Sequence, residues 1–199
     1  SHQIELFHEV IVALKEKGID PGIRHIQNSY GILNYGDLGF DYCRPGLLYM
    51  GVTSDDSIPI ESQPDFIPIL SLYANVSLVK WIHPGQSVSY GRHYIASKPV
   101  KVATISIGYA DGLPRLVSNQ NLEVLVNGVR CPLIGNICMD QCMVDVTNVD
   151  SVHQGDIVCI IGTQNGERVT VDQISRLAHT INNETLSCIT ARVPRLEKR

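Results

Sequence analysis

The sequence predicts an α/β segment followed by a mostly β, barrel-like domain, and three observations carry that prediction. The first 46 residues alternate helical and strand-like patterns as helix, strand, helix, strand, the order of successive βα units in a parallel sheet or barrel. Residues 51–66, with Ser54, Asp55, Asp56, Ser57, Pro59, Pro64 and Asp65, break the composition. From Ile69 onward, alternating apolar runs are separated by turn signals, of which Asn127-Gly128 is the strongest.

Residues 3–17 are predicted as an amphipathic helix. Ile4, Phe7, Ile11 and Leu14 recur three or four apart with Val10 beside them, and Glu9, Lys15, Glu16 and Lys17 face outward. Gly18 is placed to end it, before Pro21. A short strand is expected over 22–26. Gln27-Asn28-Ser29 then opens a short helix through Leu33, and a second strand over 40–43 is closed by Arg44-Pro45-Gly46. Two such units close neither a sheet nor a barrel, so the pattern reads as the end of something larger.

In the second part, Leu70, Leu72, Ala74, Val76 and Leu78 share one face of a long strand that reaches Ile82 and stops at His83-Pro84-Gly85. Strands follow at 100–107, 122–126, 129–134, 142–146 and 157–161. One helix interrupts them. Thr170 and Gln173 have capping-box spacing, and Val169 and Ile174 fit a hydrophobic staple. Ile174, Leu177 and Ala178 face inward, and Asn182-Asn183 end the helix. A last strand is expected over 187–193.

With 44% hydrophobic and 18% charged residues, the chain can bury a core, and disorder is disfavoured. A net charge of −4 argues against a nucleic-acid or acidic-lipid partner. No apolar run reaches membrane-spanning length, and Ser1-His2-Gln3-Ile4 lacks signal-peptide character, so a cytoplasmic segment without membrane contact is expected. The six cysteines lie mostly in apolar, strand-like contexts without a Cys-x-x-Cys pair, which predicts reduced, buried thiols and no metal site. On a strand, Cys138 and Cys142 would share one face.

The stretch from Thr104 to Arg115 runs as a strand and then breaks at Gly108-Tyr109-Ala110-Asp111-Gly112. It would hold the Tyr109 phenol where a rigid strand hands over to a glycine-rich turn, fixed yet reachable by a ligand. A tyrosine packed over a hairpin fits this stretch as well.

Six motifs then occur in order: 25–29 (HIQNS), 43–51 (CRPGLLYMG), 89–92 (SYGR), 107–112 (IGYADG), 137–141 (ICMDQ) and 192–195 (RVPR). Together they resemble the alanine racemase family, which depends on pyridoxal 5′-phosphate (PLP). The resemblance implies the carboxy-terminal portion of a (β/α)8 PLP-binding barrel over residues 1–57, followed by a carboxy-terminal β domain over 58–199. It implies an isomerase that interconverts L- and D-alanine for peptidoglycan synthesis. It also implies a head-to-tail homodimer in which the β domain of one subunit completes the site in the barrel of the other.

Residue by residue, Tyr109 matches the catalytic tyrosine that handles the α-proton on one face of the substrate. Met139 matches the residue whose backbone N–H holds the substrate carboxylate, with Asp140 beside it. Ser29, Gly46 and Leu47 match the phosphate-binding hydroxyl and amides, and Asn28 supports them. Arg44 matches the arginine facing the pyridine nitrogen, and His25 a supporting histidine near it. An arginine stays protonated and cannot hand that nitrogen a proton, which weakens the ring as an electron sink and favours racemisation over transamination. Each position also has a plainer reading: Ser29 as a helix cap, Arg44 in a surface ion pair, His25 and Asp140 as structural residues.

Two departures from the family pattern stand out. None of the lysines matches the family's cofactor lysine, and the mid-barrel substrate-binding arginine is missing, so the chain reads as a fragment inactive without an amino-terminal barrel segment. Ala191 stands where many family members carry a tyrosine that touches the phosphate, which opens volume and suggests tolerance of serine. A catalytically silent β module that only mediates dimerisation is the alternative; a related decarboxylase fits the motifs poorly.

Overall fold

Helix α1 (His2–Glu16) forms where the periodicity places it in the computed structural model, which describes residues 1–62 and 64–197. Ile11 is buried, and the Phe7 ring meets Phe40 edge-on at 5.1 Å. Val10, set beside this stripe in the sequence, faces away from it and is exposed. Gly18 follows the helix at φ +69°, a conformation that ends helices at little cost to glycine.

The chain divides into two units, Ser1–Ile69 and Leu70–Arg199. In the first, the strands expected over 22–26 and 40–43 do not form. A single parallel bridge between Asn28 and Arg44 is all that remains of their pairing. A parallel pair is stable only within a larger ladder, and among the described residues this unit supplies no further strand. The two segments are joined by side chains instead. Asp41 takes the Arg24 backbone N–H at 2.8 Å and its guanidinium at 2.9 Å, while the Asp41 N–H returns to the Arg24 carbonyl at 3.0 Å. Helix α2 (Ser29–Tyr35) runs past the expected Leu33 and stops at Gly36.

The second unit is mostly β. Strand β1 (Leu72–Ile82) is followed by a small hairpin, β2 (Ser87–Val88) and β3 (Tyr94–Ile95), that the sequence pattern does not reveal. Then come β4 (Val100–Ile105), β5 (Glu123–Val126), β6 (Val129–Ile134), β7 (Cys142–Asp145), β8 (Ile157–Gln164) and β9 (Glu167–Val169). The pairings β1–β4–β7–β6–β5–β8 return from β8 to β1, so six antiparallel strands form a ring and β9 extends it at β8. Val124, Leu125 and Val126 are buried in succession, as are Val158, Cys159 and Ile160, so these strands are covered on both faces.

Leu78 does not share the buried face of Leu72 and Val76. A register shift between Val76 and Leu78 inserts an extra residue into β1, which turns Leu78 outward. Helix α3 (Val171–Leu177) opens with the expected capping box, the Thr170 N–H meeting Gln173 Oε1 at 3.3 Å. Asn182-Asn183 do not end it; they open a further helix, α4 (Asn182–Ser187). Asn182 is drawn inside by polar partners, with Nδ2 donating to Asp172 and Oδ1 accepting from Ser175.

The strand expected over 187–193 is also absent. Arg195 donates to the carbonyls of Ile189, Thr190 and Val193, which curls this segment and leaves it no ladder to join. Cys138 and Cys142 do not share a strand face, because residues 138–141 form a tight turn closed by the Cys138 N–H on the Gln141 carbonyl at 2.8 Å. All six cysteines are free thiols; Cys131, Cys142 and Cys159 are buried, whereas Cys43 and Cys188 are exposed.

Candidate functional site

The residues singled out in the sequence fall into two groups, one in each unit. In the first unit, Asn28 caps α2, its Oδ1 accepting the Gly31 N–H at 2.9 Å. That leaves the next residue, Ser29, free of the capping role. Its hydroxyl instead accepts the Gly46 N–H at 2.9 Å across the chain. Gly46 in turn precedes a 3-10 turn, Leu47–Met50, whose first amides have no partner within the turn. The Ser29 hydroxyl and the turn-opening amide of Leu47 therefore share one neighbourhood, with the Gly46 N–H already engaged by Ser29. Such a set can bind a phosphate ester, and the bond already made leaves the Ser29 hydroxyl proton available.

Arg44 lies on the same group. Its N–H donates to the Gln27 carbonyl at 2.8 Å, and its guanidinium reaches His25 Nδ1 at 2.5 Å and the Ile26 carbonyl at 3.2 Å. A guanidinium only donates, so His25 Nδ1 accepts and the imidazole proton sits on Nε2. The expected pairing of His25 with Arg44 is thus present as a contact.

In the second unit, β4 delivers the chain to Gly108 and Tyr109. The Tyr109 N–H donates to the Cys138 carbonyl and the Ala110 N–H to the Met139 carbonyl, both at 3.0 Å. This clamp needs Gly108, since a Cβ there would lie 2.3 Å from the Cys138 oxygen and 2.4 Å from the Met139 oxygen. Gly112, at φ +116°, gives the same freedom on the other side, where a Cβ would meet the Cys188 carbonyl oxygen at 2.5 Å. Tyr109 is 42% exposed and Met139 53% exposed, so both residues are held by their backbone yet remain open to solvent. A cleft of about 560 Å³ runs beside Met139, lined by Tyr90, Cys138, Met139, Asp140 and Met143 among others.

Ala191 sits between two anchored residues. Thr190 donates from N–H to the Asp111 carbonyl at 3.1 Å and from Oγ1 to the Ala110 carbonyl at 3.0 Å, while Arg192 reaches Asp140. The hydrogen bond to Asp140, and then the charge of Asp111, raise the pKa of the Arg192 guanidinium. Sequence reasoning assigned no part to Asp111, Thr190 or Arg192. The signal was there for two of them, since Asp111 and Arg192 belong to quoted motifs.

Among the described residues, no group of three histidines, cysteines or acidic residues could hold a metal ion, and no helix is long and apolar enough to cross a membrane.

Comparison with known proteins adds a lineage to this geometry. The family described as alanine racemase, C-terminal domain, matches residues 69–197, and that described as alanine racemase, N-terminal domain, matches residues 1–54. The chain is 42% identical over 197 residues to alanine racemase 2 of Caldanaerobacter subterraneus subsp. tengcongensis, covering 98% of this chain and 49% of that protein. It is 38% identical over 193 residues to the alanine racemase of Halothermothrix orenii, covering 97% and 50%. It is also similar to the crystal structure of alanine racemase from Bacillus anthracis with bound L-Ala-P, with a TM-score of 0.90 and 34% identity over 99% of this chain and 50% of that one. The chain thus spans about half the length of the curated relatives it matches.

Proposed function

The chain belongs to the alanine racemase family, and on that premise we propose that it supplies half of the catalytic apparatus of a PLP-dependent racemase interconverting L- and D-alanine. The observation that carries this reading is the Tyr109 turn, fastened by two backbone bonds to the loop of Met139 while its phenol stays open to a ligand.

In this reading the group of Ser29, Gly46 and Leu47 holds the cofactor phosphate, with Asn28 keeping α2 in place behind Ser29. The Ser29 hydroxyl beside the turn-opening amide of Leu47 fits a phosphate ester. Arg44 faces the pyridine nitrogen, and His25 steadies the guanidinium. When bound, PLP supplies the electron sink that makes the substrate α-hydrogen acidic. Tyr109 takes or gives the α-proton at its Oη on one face of the substrate. The Met139 backbone N–H receives the substrate carboxylate, and Asp140 shapes the approach.

The opposite face needs a second base. The family uses a lysine there, and the lysines of this chain match no such position, so that base belongs to the half of the relatives' length that this chain does not span. The assembly we propose is a head-to-tail dimer in the cytoplasm that feeds D-alanine to peptidoglycan synthesis.

Ala191 supports a second reading of the substrate. A methyl group stands on the exposed backbone between Thr190 and Arg192, where many family members carry a phosphate-touching tyrosine, and the volume released would accept the hydroxymethyl group of serine.

The deciding experiment coexpresses this chain with a polypeptide supplying the rest of a relative's length and follows loss of optical rotation and solvent deuterium entry at the α-carbon. Racemisation of L-alanine, abolished from the L side by Tyr109→Phe, is expected. Full assembly and PLP binding without α-hydrogen exchange would overturn the proposal in favour of a silent dimerisation module.

A further inference from the structure

Arg192 has no part in the chemistry above, yet it touches both loops of the second group. Its Nε lies 3.4 Å from Asp111 Oδ1, and its Nη2 donates to Asp140 Oδ1 at 2.5 Å. Asp111 is enclosed, its side chain 13% exposed, and its other oxygen accepts the Gly108 N–H at 2.9 Å. Asp140 directly follows Met139. One guanidinium therefore spans the turn that carries Tyr109 and the loop that carries Met139. The segment bearing it is anchored independently, through Thr190 on Ala110 and Asp111 and through Arg195 on three carbonyls.

The geometry points to Arg192 as a positioning residue: pairing with Asp111 and Asp140 together, it holds the Tyr109 turn on the Met139 loop and offsets negative charge that would face the carboxylate of an incoming amino acid. This inference rests on the racemase reading given above. It joins a mechanical effect to an electrostatic one, and the two are separable. Mechanically, the bonds from the Tyr109 and Ala110 amides to Cys138 and Met139 open more often once the guanidinium is gone. Electrostatically, the three side chains carry one net negative charge with Arg192 in place and two without it. The pair with Asp140 is exposed, so its influence on an anionic substrate group is strongest at low salt.

The mechanical effect is read on the full chain by amide hydrogen exchange. Arg192→Gln is expected to speed exchange at Tyr109 and Ala110 by about tenfold or more relative to Val102 in β4. Arg192→Lys restores part of the protection, since an ammonium still reaches both carboxylates. Unchanged exchange in Arg192→Gln overturns the positioning role. The electrostatic effect is read in the assembled racemase with L-alanine. Arg192→Gln should raise KM about tenfold with a smaller fall in kcat, most at low salt, and adding Asp140→Asn should bring KM back. A fall in kcat alone, with no recovery from Asp140→Asn, overturns the charge role. Absence of turnover in the unsubstituted assembly would overturn the racemase reading, while the exchange measurement still decides for or against Arg192.

Discussion

Gly108 and Met139 stand so close that a Cβ on the glycine would come within 2.4 Å of the Met139 carbonyl oxygen. Both partners are backbone, so neither can swing away. Gly108→Ala is expected to cost about 1–3 kcal/mol, the range for overpacking, read as a lower midpoint in thermal or denaturant unfolding. Because the strain falls on the clamp itself, activity in the assembled enzyme should fall more than the lost folded fraction explains.

Ser29→Ala tests the phosphate group. It removes the acceptor for the Gly46 N–H and the hydroxyl proposed to meet the phosphate. Loss of one hydrogen bond to a charged group, about 1.5–3 kcal/mol, predicts PLP binding weaker by about tenfold or more. Pyridoxal without its phosphate should bind equally to both forms. Titrations of the assembled protein followed by absorbance check this, and equal weakening for both compounds would remove Ser29 from the phosphate site.

The Arg24–Asp41 pair gives the first unit an acid-sensitive tie. Hydrogen bonds from the Arg24 side chain and then its N–H hold the Asp41 carboxyl well below the ordinary carboxylate range. A depressed folded value means that the contribution is present above the unfolded value of about 4 and is lost as pH falls below it. Asp41→Asn should lower the thermal midpoint at neutral pH, where the tie is present, and flatten that part of the acid limb from about pH 5 downward, so that the two proteins converge in acid.

The thiols should react in two classes. Burial raises the Cys142 thiol to about 12 and the Cys131 and Cys159 thiols to about 11, so all three stay protonated at pH 8. A thiol reagent at that pH is expected to modify Cys43 and Cys188 first, and the three buried thiols only after denaturation. Mass mapping of the labelled peptides reads the order directly.

Two Asn-Gly turns meet at one end of the ring, and they should age differently. Deamidation requires the following glycine nitrogen to attack the asparagine side chain. The Gly128 N–H is engaged by Gln164 Oε1 at 2.9 Å, and Asn127 Nδ2 is held on the Ser151 carbonyl at 2.7 Å. Gly166 stands in open space, and the Asn165 side chain is held by a longer bond of 3.1 Å to the Asn127 carbonyl. Peptide mapping after storage at mildly alkaline pH should find succinimide and isoaspartate at Asn165 before Asn127.

Much of the second unit was legible because period-two alternation and turn chemistry are local signals. Asn127-Gly128 marked the β5–β6 hairpin, and Thr170 with Gln173 marked the start of α3. The same Asn-Gly signal stands at Asn165-Gly166, but Gly162 interrupts the apolar run before it and hides the extension of β8 and the short β9. Leu78 was misplaced because a bulge depends on register with a partner strand. The segment 187–193 has strand-like composition, yet three of its carbonyls are taken by the nearby Arg195 side chain, a local side-chain-to-backbone competition that outweighs propensity. In the first unit, 22–26 and 40–43 carry parallel-strand texture, but such texture becomes a strand only beside neighbours. Ser29 and Gly46 were each visible in a motif; that they bond to each other was not.

The ring of strands and the full set of bonds around the Tyr109 turn also differ in when they can form during synthesis. Translation delivers β8 by Gln164, and at that point every partner in the six-strand ring has been made. Thr190, Arg192 and Arg195, which fasten the Tyr109 turn and its neighbours, come only later. A nascent chain can therefore hold a paired sheet, with the Tyr109 turn already clamped on Cys138 and Met139, before the bonds supplied by residues 190–195 can form.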